Sequence, residues 1–391
     1  MTAPADPVLI VGAGPVGLTL AWRLFEAGLP VQVFEAKPEI PSQLRASTFH
    51  PPTLDLFQPS GITDALIAKG QVTPTWQIRL HATGERAEFD LAVLAGDTGH
   101  PYRLQCPQAE LSRALLARLP QGTVRFSTPV LAVDQDEGSV SLRIADGDMR
   151  GSWLIGCDGA RSVVRTAMGA AWEGAAYPEN TILVTTRFPF EDHFNGLSGV
   201  NYIWLEDGTF SLLRLPDLWR VSLHPPDGIS AEDALDDDRI RAQLGRIVPA
   251  ARDMQIVEKR IYRIHRRVAA TYRQGRMILA GDAAHLNSPK GGMGMNGGIH
   301  DAWALADILI DLARGAAPDR IDDYDRRRRP IARDDIVGQA DRNRARMNTA
   351  DPAQRRANLA ELQAIAADPD RARDFLLTSS MIAGLRRAET L

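Results

Sequence analysis

Cysteine is nearly missing from this chain: Cys106 and Cys157 are the only two in 391 residues. Two cysteines cannot make a disulfide framework or a cysteine-based metal site, and both sit among apolar neighbours as small buried residues do. Long apolar runs are also missing. No segment approaches the ~18 apolar residues of a membrane-crossing helix. The first apolar stretch is broken by glycines and has no basic segment before it, unlike a secretory leader. A cytoplasmic location is therefore expected. Neither sign of charge dominates: 45 Lys and Arg stand against 49 Asp and Glu, a net charge of −4, which argues against nucleic acid as a partner. The local exception, Arg326-Arg327-Arg328-Arg329, is surrounded by Asp322, Asp323, Asp325, Asp334 and Asp335 and reads as a solvated helix face. No His, Asp or Glu cluster has metal-ligand spacing, and no Ser-His-Asp arrangement stands out. There is no internal repeat.

What is present is an ordinary globular composition, 44% hydrophobic and 24% charged, in a chain long enough for two or three domains or one composite one. Val8-Leu9-Ile10-Val11 predicts a short strand. Gly12-Ala13-Gly14-Pro15-Val16-Gly17 follows, then a helical pattern from Leu18 to Ala27 that ends at Gly28. Val31 to Phe34 predicts the next strand, closed by Glu35. A strand–turn–helix–strand unit implies a right-handed parallel pair. Its first glycine permits a tight turn, the second lets a pyrophosphate approach the backbone, and the third lets helix and strand pack closely. The helix start supplies free amides for phosphates, and Glu35 is placed to accept hydrogen bonds from a ribose. This unit alone fits FAD or NAD equally.

Two further glycine turns follow apolar strands. Leu154-Ile155-Gly156-Cys157 leads into Asp158-Gly159 and a helix that Ser162 can cap. Met277 to Ala280 leads into Gly281-Asp282, and the glycines from 291 to 298 open a helix near Gly294. Asp282 suits a polyol chain such as ribityl. The glycines would let a flat ligand lie on bare backbone, with the positive end of the helix at the edge of a reduced flavin. Between these turns, the pattern predicts helices near 51–58, 61–68, 107–119 and 231–246. It predicts strands across 75–93, 123–156, 180–225 and 256–263, and a helical tail from about 318, broken by Pro330, Pro352 and Pro369.

Taken in order and spacing, the three turns resemble the FAD-dependent aromatic hydroxylases, single-component flavoprotein monooxygenases of the para-hydroxybenzoate hydroxylase type. The resemblance covers roughly residues 7–315. It implies an α/β fold: a Rossmann-like FAD-binding domain over 1–72, 98–178 and 266–318, a β-sheet substrate domain over 73–97 and 179–265, and a C-terminal helical segment over 319–391. It implies cofactor contacts at Gly12, Gly14, Pro15, Val16 and Gly17, and at Glu35, Ala36 and Lys37. Arg45, Gln108, Asp158, Gly159 and Arg165 join them. So do Gly281, Asp282, Pro289, Gly292, Gly294, Met295 and Asn296. Pro289 and Arg45 would flank the reacting centre.

The activity implied is hydroxylation of an aromatic or heteroaromatic small molecule. NADH or NADPH would dock transiently to reduce bound FAD, and O₂ would form a flavin C4a-hydroperoxide. A second glycine fingerprint is absent, in keeping with a transient nicotinamide. Alternative readings keep the flavin but change the reaction, to epoxidation, Baeyer–Villiger-type insertion or ring cleavage of a polycyclic or quinone-like substrate, or leave a non-catalytic flavin-binding sensor. Substrate-lining candidates are the polar and aromatic residues of strands 199–225: Tyr202, Trp204, Arg214 and His224. His285 reads as shaping its loop, and His300 as structural. The chain is expected to be a monomer or homodimer, with no membrane span.

Overall fold

The computed structural model describes residues 6–391 except Leu44 and Asp227; the first five residues, where the expected FAD-binding domain begins, lie outside them. Two sheets organise the chain. The first is six-stranded, in the order Arg273–Gln274, Met277–Leu279, Trp153–Gly156, Val8–Val11, Val31–Phe34, Val124–Arg125. Its neighbours run parallel except for the Arg273–Gln274 edge. Val8–Val11 is buried at every position. Such continuous apolar runs are what a parallel strand covered on both faces requires. The Pro15–Glu26 helix returns the chain from Val8–Val11 to the adjacent parallel Val31–Phe34. Its end is a left-handed Gly28 at φ +81°. The amides of Gly28 and Leu29 reach back to the carbonyls of Phe25 and Leu24, the glycine stop that the sequence pattern predicts.

The second sheet has eight strands, in the order His285–Leu286, Glu258–Ala269, Trp172–Thr186, Trp219–Leu223, Gly208–Arg214, Val200–Leu205, Thr75–Leu80, Arg86–Asp90. It is mixed: Val200–Leu205 and Thr75–Leu80 are parallel, and the other pairs are antiparallel. The long Trp172–Thr186 and Glu258–Ala269 strands run across the boundaries expected at 178 and 265. One face of this sheet packs Val221, Leu223, Phe210 and Leu212 against the Asp237–Ile247 helix. That helix is separate from Ala231–Ala234, because Asp236 caps it by accepting from the Arg239 amide.

The helical tail differs from expectation in two places. Pro330 lies inside the Asp322–Ile331 helix instead of ending it. A proline removes one amide and crowds the preceding turn, and here the chain widens into a π-helical stretch, Ala332–Val337, before resuming at Gly338–Met347. Pro352 and Pro369 do open new helices, each after an aspartate cap. The arginine run is not uniformly solvated. Arg326 pairs with Asp323 and Arg329 with Asp325, but Arg328 is 2% exposed and its Nε donates to buried Asp301 at 2.8 Å. On a helix, one position of four consecutive residues must face inward when the helix is packed.

The tail packs against the eight-stranded sheet. Met347, Leu359, Leu362, Leu376 and Ile382 share a core with Trp76, Phe89 and Val200. Phe375 stacks on Phe89, which stacks on Trp76, each at 4.7 Å between ring centres.

Candidate active site

The three glycine turns converge at the carboxyl ends of adjacent parallel strands, where a crevice forms in a sheet of this kind. Gly12 takes φ +104°, and a Cβ there would lie 2.4 Å from the Cys157 carbonyl oxygen. A Cβ on Gly17 would lie 2.0 Å from the Gly12 carbonyl oxygen. These two positions are closed by the protein itself. Gly14 is the opposite case: a Cβ would meet nothing within 4 Å. The turn thus leaves open space at the middle glycine, in front of a helix start with no side-chain cap. A dinucleotide pyrophosphate fits that arrangement. Glu35 is fixed beside it, its two oxygens accepting from the amides of Ala13 at 2.8 Å and Lys37 at 3.0 Å. Each oxygen retains capacity for a ribose hydroxyl.

The second turn brings Asp158. One of its oxygens accepts from the Val163 amide at 2.7 Å, and the other, Oδ1, is buried without a partner. Burial raises its carboxyl above the usual range, against the hydrogen bonds that lower it. Ser162 caps the following helix through the Arg165 amide. Arg165 itself is buried. Its guanidinium donates to the carbonyls of Ala283 at 2.9 Å and Ala160 at 2.7 Å and lies 3.9 Å over the Trp172 ring. Its observed work is to tie the second turn to the third.

In the third turn, Asp282 is exposed along the crevice although protein surrounds it on its other sides. That burial raises its carboxyl, while His285 and Arg45 pull it back. The turn is held from behind. Asp301, fully buried in the Met293–Ala313 helix, accepts from the Gly281 amide at 3.2 Å, from His285 Nε2 at 2.9 Å and from Arg328 Nε at 2.8 Å. His285 is therefore an internal brace, and His300, bonded to Thr53 at 2.9 Å, is another.

The glycine bed is more crowded than its sequence suggests. A Cβ on Gly297 would strike Ile336 at 2.5 Å, on Gly298 Val16 at 2.7 Å, and on Gly294 Asn287 Oδ1 at 2.9 Å. Much of this glycine content serves close packing of the protein on itself. What faces outward is the start of the helix, capped by backbone alone at Gly292. Asn296 is fully buried. Its side chain joins the Thr48 and Gly292 carbonyls to the His50 amide. Gln108 clamps Ala46 through reciprocal bonds, amide to carbonyl at 3.0 Å and Ala46 amide to Oε1 at 3.3 Å, and so fixes the chain next to Arg45.

Beyond Pro289 lies a cavity of about 580 Å³ including its open mouth. Tyr202, His224 and Pro289 line it, with Arg220, Ser222 and Tyr262. Trp204 and Arg214 do not. Trp204 is 1% exposed and donates to the Met347 carbonyl at 3.2 Å, covered by the tail. Arg214 is on the other face, paired with Glu191 at 3.2 Å and lying over Trp219. Strand parity explains it. Ser211 and Leu213 line the cavity, and Arg214 is one residue out of phase.

The same parity reveals what the sequence reading passed over. In Trp219-Arg220-Val221-Ser222-Leu223 the apolar residues enter the core, so Arg220 and Ser222 face the cavity with His224. Tyr262 stands opposite Thr181 on the neighbouring strand pair, beyond the 199–225 window. Arg220 Nη1 donates to Ser47 Oγ at 2.9 Å and the Arg45 carbonyl at 3.2 Å, and its Nε has no partner. Tyr202 accepts from the Gly291 amide at 3.1 Å. Among the described residues lining the cavity there is no carboxylate, whereas Arg220 and Lys290 are both cationic. No group of three or more potential metal ligands occurs among the described residues, and no helix there is long and apolar enough to cross a membrane.

Known proteins share this design. The FAD binding domain family matches residues 6–337. Para-nitrophenol 4-monooxygenase of Pseudomonas sp. (strain WBC-3) is 33% identical over 398 residues, with 98% of each chain covered. The 6-hydroxy-3-succinoylpyridine 3-monooxygenase HspB of Pseudomonas putida (strain DSM 28022 / S16) is 35% identical over 337 residues, covering 83% of this chain and 85% of that one. The crystal structure of p-nitrophenol 4-monooxygenase PnpA from Pseudomonas putida DLL-E4 superposes with a TM-score of 0.90 at 31% identity, covering 98% of both chains.

Proposed function

The chain belongs to the FAD-dependent aromatic hydroxylases, and from that premise we propose that its substrate is a single-ring phenol, bound as the phenolate in the cavity beside Pro289 and hydroxylated at the expense of NAD(P)H and O₂. The observation that carries this reading is the charge of the cavity. It holds Arg220 and Lys290 with no carboxylate among the described lining residues. The Arg220 cation, which no carboxylate of the described lining balances, favours an anion over its neutral acid. A phenolate is the electron-rich form that an electrophilic oxygen attacks.

FAD, when bound, supplies the oxygen chemistry. The residues do the rest. Gly14 and the Pro15–Glu26 helix start would hold the pyrophosphate, Glu35 the ribose and Asp282 the ribityl chain. The uncapped start of the Met293–Ala313 helix would offer its amides and positive dipole end to the pyrimidine edge of the flavin. Tyr202, His224, Arg220 and Tyr262 position the ring, and the tail and the eight-stranded sheet exclude water. The single-ring reading is supported by the relative named for para-nitrophenol, which matches 98% of each chain.

The test is substrate-stimulated NAD(P)H oxidation by the yellow purified protein, with mono- and polycyclic phenols side by side and product mass as the readout. A monocyclic product heavier by one oxygen is expected. Stimulation by polycyclic compounds alone would overturn the single-ring assignment.

A further inference from the structure

A second recess lies behind Tyr202, about 410 Å³ to its mouth. It shares Tyr202, Lys290 and Met347 with the cavity beside Pro289, so the two are adjacent chambers with these three residues between them. Three of the residues that line it carry a buried hydrogen-bonding atom without a partner: Arg103 Nε, Trp76 Nε1 and Ser379 Oγ. Their residues are 3%, 5% and 6% exposed. Buried polar groups are almost always satisfied, and leaving one unsatisfied costs about 1–3 kcal/mol. Three such donors on residues around one recess point to an acceptor as the group that would satisfy them.

The charge agrees with the geometry. Arg103, Lys290 and Arg346 all line the recess, and no carboxylate does among the described residues. Arg103 is fixed in place, lying 4.9 Å over the Trp76 ring. The Tyr202 hydroxyl hydrogen-bonds it, but a hydroxyl supplies no full counter-charge for a buried guanidinium. Resting on the phenolate reading above, we propose that this recess is an anion subsite that takes a small oxyanionic group, either a substituent of the aromatic substrate or a free anion. Arg103, Trp76 and Ser379 would be its donors. Because Ser379 and Arg346 come from the helical tail, the tail would set substrate preference as well as cover the sheet.

The test uses the FAD-loaded protein and three probes: 4-hydroxybenzoate, 4-cresol and nitrate. Binding is read from the flavin difference spectrum, and turnover from NAD(P)H oxidation. If a substituent occupies the recess, 4-hydroxybenzoate binds at least tenfold tighter than 4-cresol, and nitrate competes with the former only. The Kd ratio of the two phenols then falls towards one in Arg103→Met, and falls partway in Ser379→Ala, which serves should Arg103→Met not fold. If a free anion is the occupant, the phenols bind alike, and nitrate shifts 4-cresol binding in the parent but not in Arg103→Met. No phenol preference together with no Arg103-dependent nitrate effect would overturn the subsite and leave the hydroxylase intact. Failure of every phenol to stimulate NAD(P)H oxidation would instead overturn the phenolate reading on which it rests.

Discussion

Asp301 gives the sharpest test of how the site is held, because it does not itself face the crevice. Its carboxylate is fully buried and accepts from Arg328, His285 and the Gly281 amide. Burial alone would raise its carboxyl, but Arg328 and His285 overcome that and hold it below the usual range. Asp301→Asn keeps the shape and an acceptor but removes the charge. Arg328, 2% exposed, then loses its counter-ion. Breaking one side of a buried pair costs about 3–5 kcal/mol. Urea denaturation should show a loss of that order. FAD occupancy should fall too, because the Gly281–Asp282 turn loses its brace. Arg328→Met in the same background removes the orphaned charge, so the double variant should recover stability relative to Asp301→Asn alone. A loss below about 1 kcal/mol, or a double variant whose loss is the sum of the singles, would refute the reasoning.

Other outcomes follow from single atoms. Gly14→Ala should fold normally and lose FAD, as its Cβ enters empty space in front of the helix start, whereas Gly17→Ala should destabilise the fold itself, as its Cβ would sit 2.0 Å from the Gly12 carbonyl oxygen; thermal melts and flavin content on both variants separate the two. Asp282→Ala should weaken FAD retention with little change in melting of the apoprotein, and unchanged flavin content would remove Asp282 from the ribityl role. His50 and His300 are buried neutral, each pushed down to about 3, first by burial and then by nearby arginines. The unfolded chain therefore binds more protons below about pH 6.5. Stability should be level above that pH and fall towards pH 3 by about 1.4 kcal/mol per pH unit for each histidine. His300→Gln should flatten that slope in urea titrations, and an unaltered slope would count against it. Arg220→Met should raise the pH at which a phenol begins to bind, as the cavity would no longer favour the phenolate; an unshifted pH profile would contradict the charge argument.

The sequence alone determined the nucleotide end of this protein. Gly12 to Glu35, Asp158-Gly159 and Gly281-Asp282 each complete a turn within a few residues, so composition and spacing carry their geometry. What the sequence left illegible was whatever depends on which face of a strand looks inward and on what later covers it. Arg220 and Arg214 are alike as letters, but register puts Arg220 opposite Leu213 on the cavity side and Arg214 opposite Trp219 on the other. Trp204 has the parity of Tyr202 but is sealed by Met347 from the tail. Arg328 looked like one of four surface arginines until its helix packed on Asp301. Local backbone chemistry set the three turns that meet at the crevice. Only the tertiary structure decided what lines the cavity beside Pro289, because that wall is assembled from strands and a tail far apart in the chain.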